Sequence, residues 1–207
     1  SDIKHCHFRS YLGHHFGATG QEVWWQAESA IHIFGDAKAT DIYIHQVKIY
    51  GFKYGIKMEG TVEGVQLAQG VWVHSKCGIS WDGHTYDETN SQAGDPEGPR
   101  KDPFQWPLLV VTDCHLNCNE YNIKVKAGWQ FMIKGCSFYG TNNSAAYSSV
   151  STEEVLHRSI WLDKYTSNCI IHGNTFCDVV DTTGSEALTS GGWGPSIEID
   201  GHLNFVT

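Results

Sequence analysis

Four carboxylates and one lysine stand at the same place in a repeated tetrapeptide. They are Glu59, Asp82, Lys126, Asp163 and Asp200, in a column that begins with Phe34. Each follows a small-or-polar–Ile–x–apolar step. Read as a β-strand, that step turns its Ile and the apolar residue two later inward and the alternate residues outward. The acids would then share one outer face. Carboxylates on adjacent strands would stand ~5 Å apart, and those two strands apart ~10 Å. Glycoside hydrolysis asks for ~5–5.5 Å with retention and ~6.5–9.5 Å with inversion. Glu59/Asp82 and Asp163/Asp200 fit the first distance, and Asp82/Asp163, with Lys126 between them, falls near the second. Asp82 is the candidate general acid and Asp163 the candidate base, with Glu59 the alternative partner of Asp82. The neighbouring outward column reads His32, Lys57, Ser80, Lys124, Trp161, Glu198. In it Trp161 would stack on a sugar ring, with Lys124 and Lys126 beside it. His84 and Trp106, in the long segment that follows Asp82, complete the substrate-binding candidates. The same columns also read as ordinary solvated surface, because alternating acids and lysines form cross-strand ion pairs.

Other reactive residues organise less well. His5 and His7 flank Cys6, and His14 adjoins His15, but no third and fourth ligand follows at a suitable spacing, so no metal and no cofactor is expected. No Ser–His–Asp set stands out. Seven Cys include no zinc-type CxxC pair and read as reduced, buried thiols. The paired Trp24 and Trp25 either stack on a ligand or cover an end of the fold. Residues 151–159, STEEVLHRS, read as a short capped helix.

The elements that must position these residues come from two alternating motifs. Motif A is anchored on Ile3, Ile44, Leu67, Val111, Ile133 and Ile171, with Phe8, Ile49, Trp72, Leu116, Phe138 and Phe176 five residues later. Motif B, the tetrapeptide above, centres on Ile31, Ile56, Ile79, Ile123, Ile160 and Ile197. The shortest full repeat runs from Ile44 to Leu67, too short for helical arrays and without the Leu/Asn skeleton of leucine-rich repeats. Short strands at that period predict one all-β domain over 1–207, a parallel β-helix of about six rungs and ~29 Å. Segments near 9–30, 82–107, 139–158 and 178–195 exceed the minimum and are rich in turn formers, as loops inserted into a solenoid are. Equivalent residues should stack: three after each A anchor stand Cys6, Val47, Gly70, Cys114, Cys136 and Asn174. No cap is visible at either end, which predicts a piece of a longer chain or ends covered by neighbouring chains.

Composition narrows the partners. The 207 residues carry a formal charge of -9, which argues against nucleic acid and anionic membranes. No apolar run reaches the ~18 residues of a membrane span, and no signal peptide is present in this sequence. Eight Trp and nine Tyr suit a sugar-binding surface.

The run SIWLDKYTSNCIIHGNTF, 159–176, resembles the right-handed parallel β-helix superfamily of pectate lyases, polygalacturonases and phage tailspikes. The resemblance covers nearly the whole chain and is strongest to a tailspike β-helix domain. It implies a carbohydrate polymer bound along the outer face of one sheet. For tailspikes it implies a homotrimer at the virion tail, or another extracellular setting, that binds or cleaves bacterial surface polysaccharide. The polygalacturonase signatures Asn-Thr-Asp, Asp-Asp, Gly-His-Gly and Arg-Ile-Lys are missing. A glycosidase or lyase, a noncatalytic adhesin on the same scaffold, and a bare stem are the three function classes. Long insertions and many Trp weigh against the stem. The acidic balance favours a neutral or amino-sugar polymer, while Lys57, Lys124 and Lys126 leave an anionic sugar open.

Overall fold

A computed structural model describes residues 1–10, 27–81, 109–118, 120–140, 158–178, 197–200 and 205–206. Among these the chain forms seventeen strands and no helix. Every strand pairing is parallel. The expected repeat is the register of the sheets. The A anchors pair in sequence, Ile3 with Ile44, Ile44 with Leu67, Leu67 with Val111, Val111 with Ile133 and Ile133 with Ile171. Val206 extends the column beyond Ile171. The residues five later pair likewise from Phe8 to Phe176, and the B isoleucines from Ile31 to Ile197. The chain is thus an all-β solenoid of stacked parallel strands. We name its three faces A, B and C, with C carrying Phe8 to Phe176.

The larger sheet bends, so that long strands such as Tyr54–Ala68 contribute to face B and then to face A. Face C is the separate six-stranded sheet. The corner between A and C falls two residues after each anchor, at His5, Gln46, Gln69, Asp113, Gly135 and Gly173, all with positive φ. The corner between B and A has the same conformation at Asp41, Gly64, Gln130 and Asn168. A left-handed residue costs a non-glycine side chain about 1–2 kcal/mol. Corner hydrogen bonds offset this. The Gln46 and Gln69 backbone N–H groups donate to Ala68 and Thr112 carbonyls, and Gln46 Nε2 donates to Gln69 Oε1 at 3.0 Å. At Gly135 a Cβ would lie 2.7 Å from Asp113 Oδ1, so that carboxylate would have to turn aside for a larger residue.

The core is the stack of inward columns. Ile44, Leu67, Val111, Ile133, Ile56, Ile79, Ile123 and Ile160 are all fully buried. Trp81 packs edge-on against Phe131, and Phe138 stacks on Phe176. The three-after-anchor column is continuous, since each next strand donates to the preceding Cys6, Val47, Gly70, Cys114 or Cys136 carbonyl. Cys114 and Cys136 are buried and all seven cysteines are free thiols. Gly70 breaks the column of side chains where Trp72 needs room, and a Cβ there would meet the indole at 2.4 Å. Asn174 closes the column's far end, accepting from the Cys136 N–H and donating to the Ile133 carbonyl, each at 2.9 Å.

The helix expected over 151–159 is not formed at its end, because Arg158 and Ser159 begin the strand Arg158–Ser167. The rest of that segment lies outside the described residues, as do the insertions between strands and Trp24 and Trp25. Among the described residues there is no helix long and apolar enough to cross a membrane.

Candidate functional site

The first outward column of face B is laid out as the alternation requires, His32 beside Lys57, then Ser80, Lys124, Trp161 and Glu198. Lys124 and Trp161, both substrate-binding candidates, are therefore cross-strand partners, with Lys124 Nζ 5.2 Å from the centre of the indole ring. Trp161 is half-buried and faces outward. A further column, two residues before each B isoleucine, runs Ser29, Tyr54, Cys77, Tyr121, Arg158. It supplies residues that the sequence reading passed over. Tyr121 lies 6.1 Å from Trp161 between ring centres, Lys124 Nζ sits 4.9 Å over its ring, and Arg158 approaches its hydroxyl at 3.4 Å. Arg158 also pairs with Glu198. Strict alternation from the inward Ile123 would turn Tyr121 inward as well, and it faces outward because the alternation breaks at Asn122 and Ile123, which are both buried.

Ser80 departs from expectation. It stands in an outward column yet is buried, as is Cys77 beside it. Both are small and flanked by taller neighbours. Tyr54 with Lys57 above its ring stands on one side, and Tyr121 with Lys124 stands on the other.

Of the three proposed catalytic carboxylates, Glu59 and Asp163 are described. Asp82 lies outside the described residues, as do His84 and Trp106. Glu59 is hydrogen-bonded to His32 Nε2 at 2.6 Å and lies 3.1 Å from Lys57 Nζ. Partial burial works to raise its pKa, but hydrogen bonds from Lys57 and His32 outweigh this and hold it below the usual carboxylate value. Lys57 in turn bridges to Glu28, which Lys53 also holds. Glu59 is thus kept ionised within an ion-pair cluster, which suits a base or an electrostatic role and not proton donation. Asp163 is half-buried, and its carbonyl accepts from Thr166 Oγ1 at 2.7 Å. The regular ladder stops at Val125 opposite Leu162; beyond it Ala127 pairs with Tyr165. Two residues, Asp163 and Lys164, therefore oppose the single Lys126. This bulge re-aims the Asp163 side chain relative to Lys126, so the ~10 Å drawn from a regular ladder does not carry through this point.

Two further regions bear on binding. Face A has a cleft of about 590 Å³ lined by Ser1, Asp2, Tyr43, His45, Gln66, Ala68 and Gln69. Further along the same face, Met132 and Ile170 are exposed in one outward column with Val110. His5 and His7 are exposed beside Cys6. Among the described residues no three His, Cys, Asp or Glu side chains gather to hold a metal ion.

Connectivity singles out face B. Residues 11–26, 141–157 and 179–196 each join face C to face B, and 82–108 join face B to face A. The chain is a parallel β-solenoid, and its best-furnished outer surface is the Tyr121–Lys124–Trp161 group on face B. No family model, no curated protein and no solved structure matches it.

Proposed function

We propose that this protein recognises a carbohydrate polymer along face B of a right-handed parallel β-helix of about six rungs with four long loop insertions. The single observation that carries this reading is the group of Trp161, Lys124 and Tyr121 on one outward surface. Aromatic faces take the apolar face of a sugar ring, and the ammonium and phenol serve its hydroxyls. All four long segments have one end on face B, where connecting segments would wall a groove.

The same surface supports depolymerisation, by a glycoside hydrolase or a lyase, as a second reading. Asp163 lies beside Trp161 and across a bulge from Lys126, and bulges re-aim side chains next to active sites. In this reading Asp82 is the acid, Asp163 the base and inversion the outcome. Glu59, held ionised, is an alternative electrostatic partner. The noncatalytic adhesin keeps the surface and gives the acids only hydrogen-bonding roles. By resemblance to tailspikes the assembly is a homotrimer at a virion tail or another extracellular site. The exposed Met132 and Ile170 support burial against a neighbour, and light scattering of the intact protein tests it.

The deciding experiment is retention on immobilised bacterial surface polysaccharides, followed by a reducing-end release assay. Wild type should be retained, and Trp161→Ala should weaken retention roughly tenfold. Asp163→Asn should keep retention and lose release by orders of magnitude. Retention without release by wild type leaves the adhesin. Retention unchanged in Trp161→Ala would remove the binding surface from face B.

A further inference from the structure

The cleft on face A is built differently from the face-B surface. Its floor is Ala68, the small member of an outward column whose neighbours are His45 and Thr112. One wall is Tyr43 and Gln66, cross-strand partners, with Tyr43 45% exposed. The other is Gln69, on the left-handed corner, whose amide oxygen accepts from Gln46 Nε2 at 3.0 Å. The end is Asp2, with His45 Nε2 3.0 Å and Lys4 Nζ 3.2 Å from its carboxylate oxygens. The neighbouring strands fix each group. Tyr43 pairs with Asp2 and its N–H donates to the Ser1 carbonyl, while His45 pairs with Ala68.

The chemistry of this lining selects among ligands. A carboxylate, an imidazole and two carboxamides offer both donors and acceptors at short range, which a row of adjacent hydroxyls satisfies. An exposed phenol ring at the rim offers a flat apolar face. A lipid or apolar peptide would find apolar surface only at Ala68 and the Tyr43 ring and would leave Asp2, His45, Gln66 and Gln69 without partners from the ligand. A phosphate or uronate would meet Asp2, whose pKa the hydrogen bond from Lys4 lowers, so that it is ionised at neutral pH. From these groups we infer that the face-A cleft is a second ligand site, separate from face B, that takes one or two units of a neutral saccharide. The inference stands apart from the face-B proposal: either surface works without the other.

The test uses the 207-residue chain on a printed array of neutral and acidic oligosaccharides, followed by calorimetric titration with the best-retained neutral hexasaccharide. Three variants are compared: Ala68→Leu, which fills the floor from an outward position, Tyr43→Ala at the rim, and Trp161→Ala on face B. Their thermal melts establish that each is folded. The expected result is a loss of affinity of about tenfold or more in Ala68→Leu and Tyr43→Ala, with a measurable Kd retained in Trp161→Ala. Unchanged affinity in both cleft variants overturns the site. So does retention of acidic glycans alone, or of none. If Trp161→Ala alone removes binding, the face-B reading survives and the cleft does not.

Discussion

Asn122 is a fully buried carboxamide at the entry to face B. Its Oδ1 accepts from the Cys118 N–H at 2.9 Å, and its Nδ2 donates to the Tyr139 carbonyl and to Ser159 Oγ. Removing it strands a buried backbone donor, so Asn122→Ala should lower stability by about 1–3 kcal/mol in a urea titration. A change within a few tenths would mean that relaxation or water replaces those bonds. The cysteines make a second residue-scale prediction. Burial pushes the Cys118 and Cys169 thiols up to about 12 from an ordinary 9.0. Cys114 is raised by its hydrogen bond with the Cys136 thiol and by burial. The thiolate is the nucleophile, so iodoacetamide at pH 8 should modify the partly exposed Cys6 and Cys177 first. Peptide mapping that found Cys118 or Cys169 alkylated on the same timescale in folded protein would contradict this burial. Sequence made the stacked cysteine column legible because cysteine there behaves as a small apolar residue. The same sequence hid Tyr121, since nothing local marks an outward tyrosine as the partner of a tryptophan one strand away.

Neighbouring strands here are joined by ion pairs as well as by backbone bonds. Glu59 with His32, and Glu28 with Lys53 and Lys57, cross from one rung to the next, while Glu59 with Lys57 and Asp2 with Lys4 pair within one strand. All three carboxylates have folded pKa values below ordinary. For Asp2 the hydrogen bond from Lys4 is the main cause. For Glu28 and Glu59 lysine contacts overcome a burial penalty. The unfolded chain therefore binds more protons than the native one in the acid range. Their stabilisation is complete above the ordinary carboxylate value and is lost as pH falls through the lower folded values. Melting temperature should fall on acidification below about pH 4.5, less steeply in Glu59→Gln. A curve unchanged by that substitution would assign the acid response elsewhere. The packing of Trp72 against Gly70 supplies a further element-scale prediction. Gly70→Ala places a methyl inside the indole's space and should cost about 1–3 kcal/mol. Trp72→Leu, copying Leu116 on the next strand, should relieve most of that cost in a double-mutant cycle. Additive effects of the two changes would refute the contact.

At the scale of the whole molecule, each rung packs on the rungs above and below, so stability approximates a chain of nearest-neighbour terms. Amide exchange should be slowest at Ile56, Ile79 and Ile123 in the middle of face B, and fastest around Ile3, Ile197 and Val206, which are less buried. Uniform protection along the stack would imply a single cooperative unit instead. The register was legible in the sequence because a solenoid writes its period into the chain. Ile44, Leu67 and Val111 recur only because each must cover the last. The bulge opposite Lys126 was not legible, since one extra residue leaves the alternation of types almost unchanged. The face-A cleft was hidden for a related reason. It depends on Ala68 being smaller than His45 beside it, a comparison across strands that a single linear reading does not make.

The parallel register also fixes how the molecule would bear a load. Strands lie across the long axis and their hydrogen bonds lie along it, so tension applied along the stack opens one layer at a time instead of shearing many bonds together. A pull in that direction should give a train of low force peaks whose spacing follows the separation of the A anchors, short from Ile44 to Leu67 and longer where a segment is inserted. The peak for the Ile44-to-Leu67 repeat would release about 7–8 nm of chain. Tension applied across the stack should meet a single high peak, which makes the solenoid soft to peeling along its axis and stiff to shear across it.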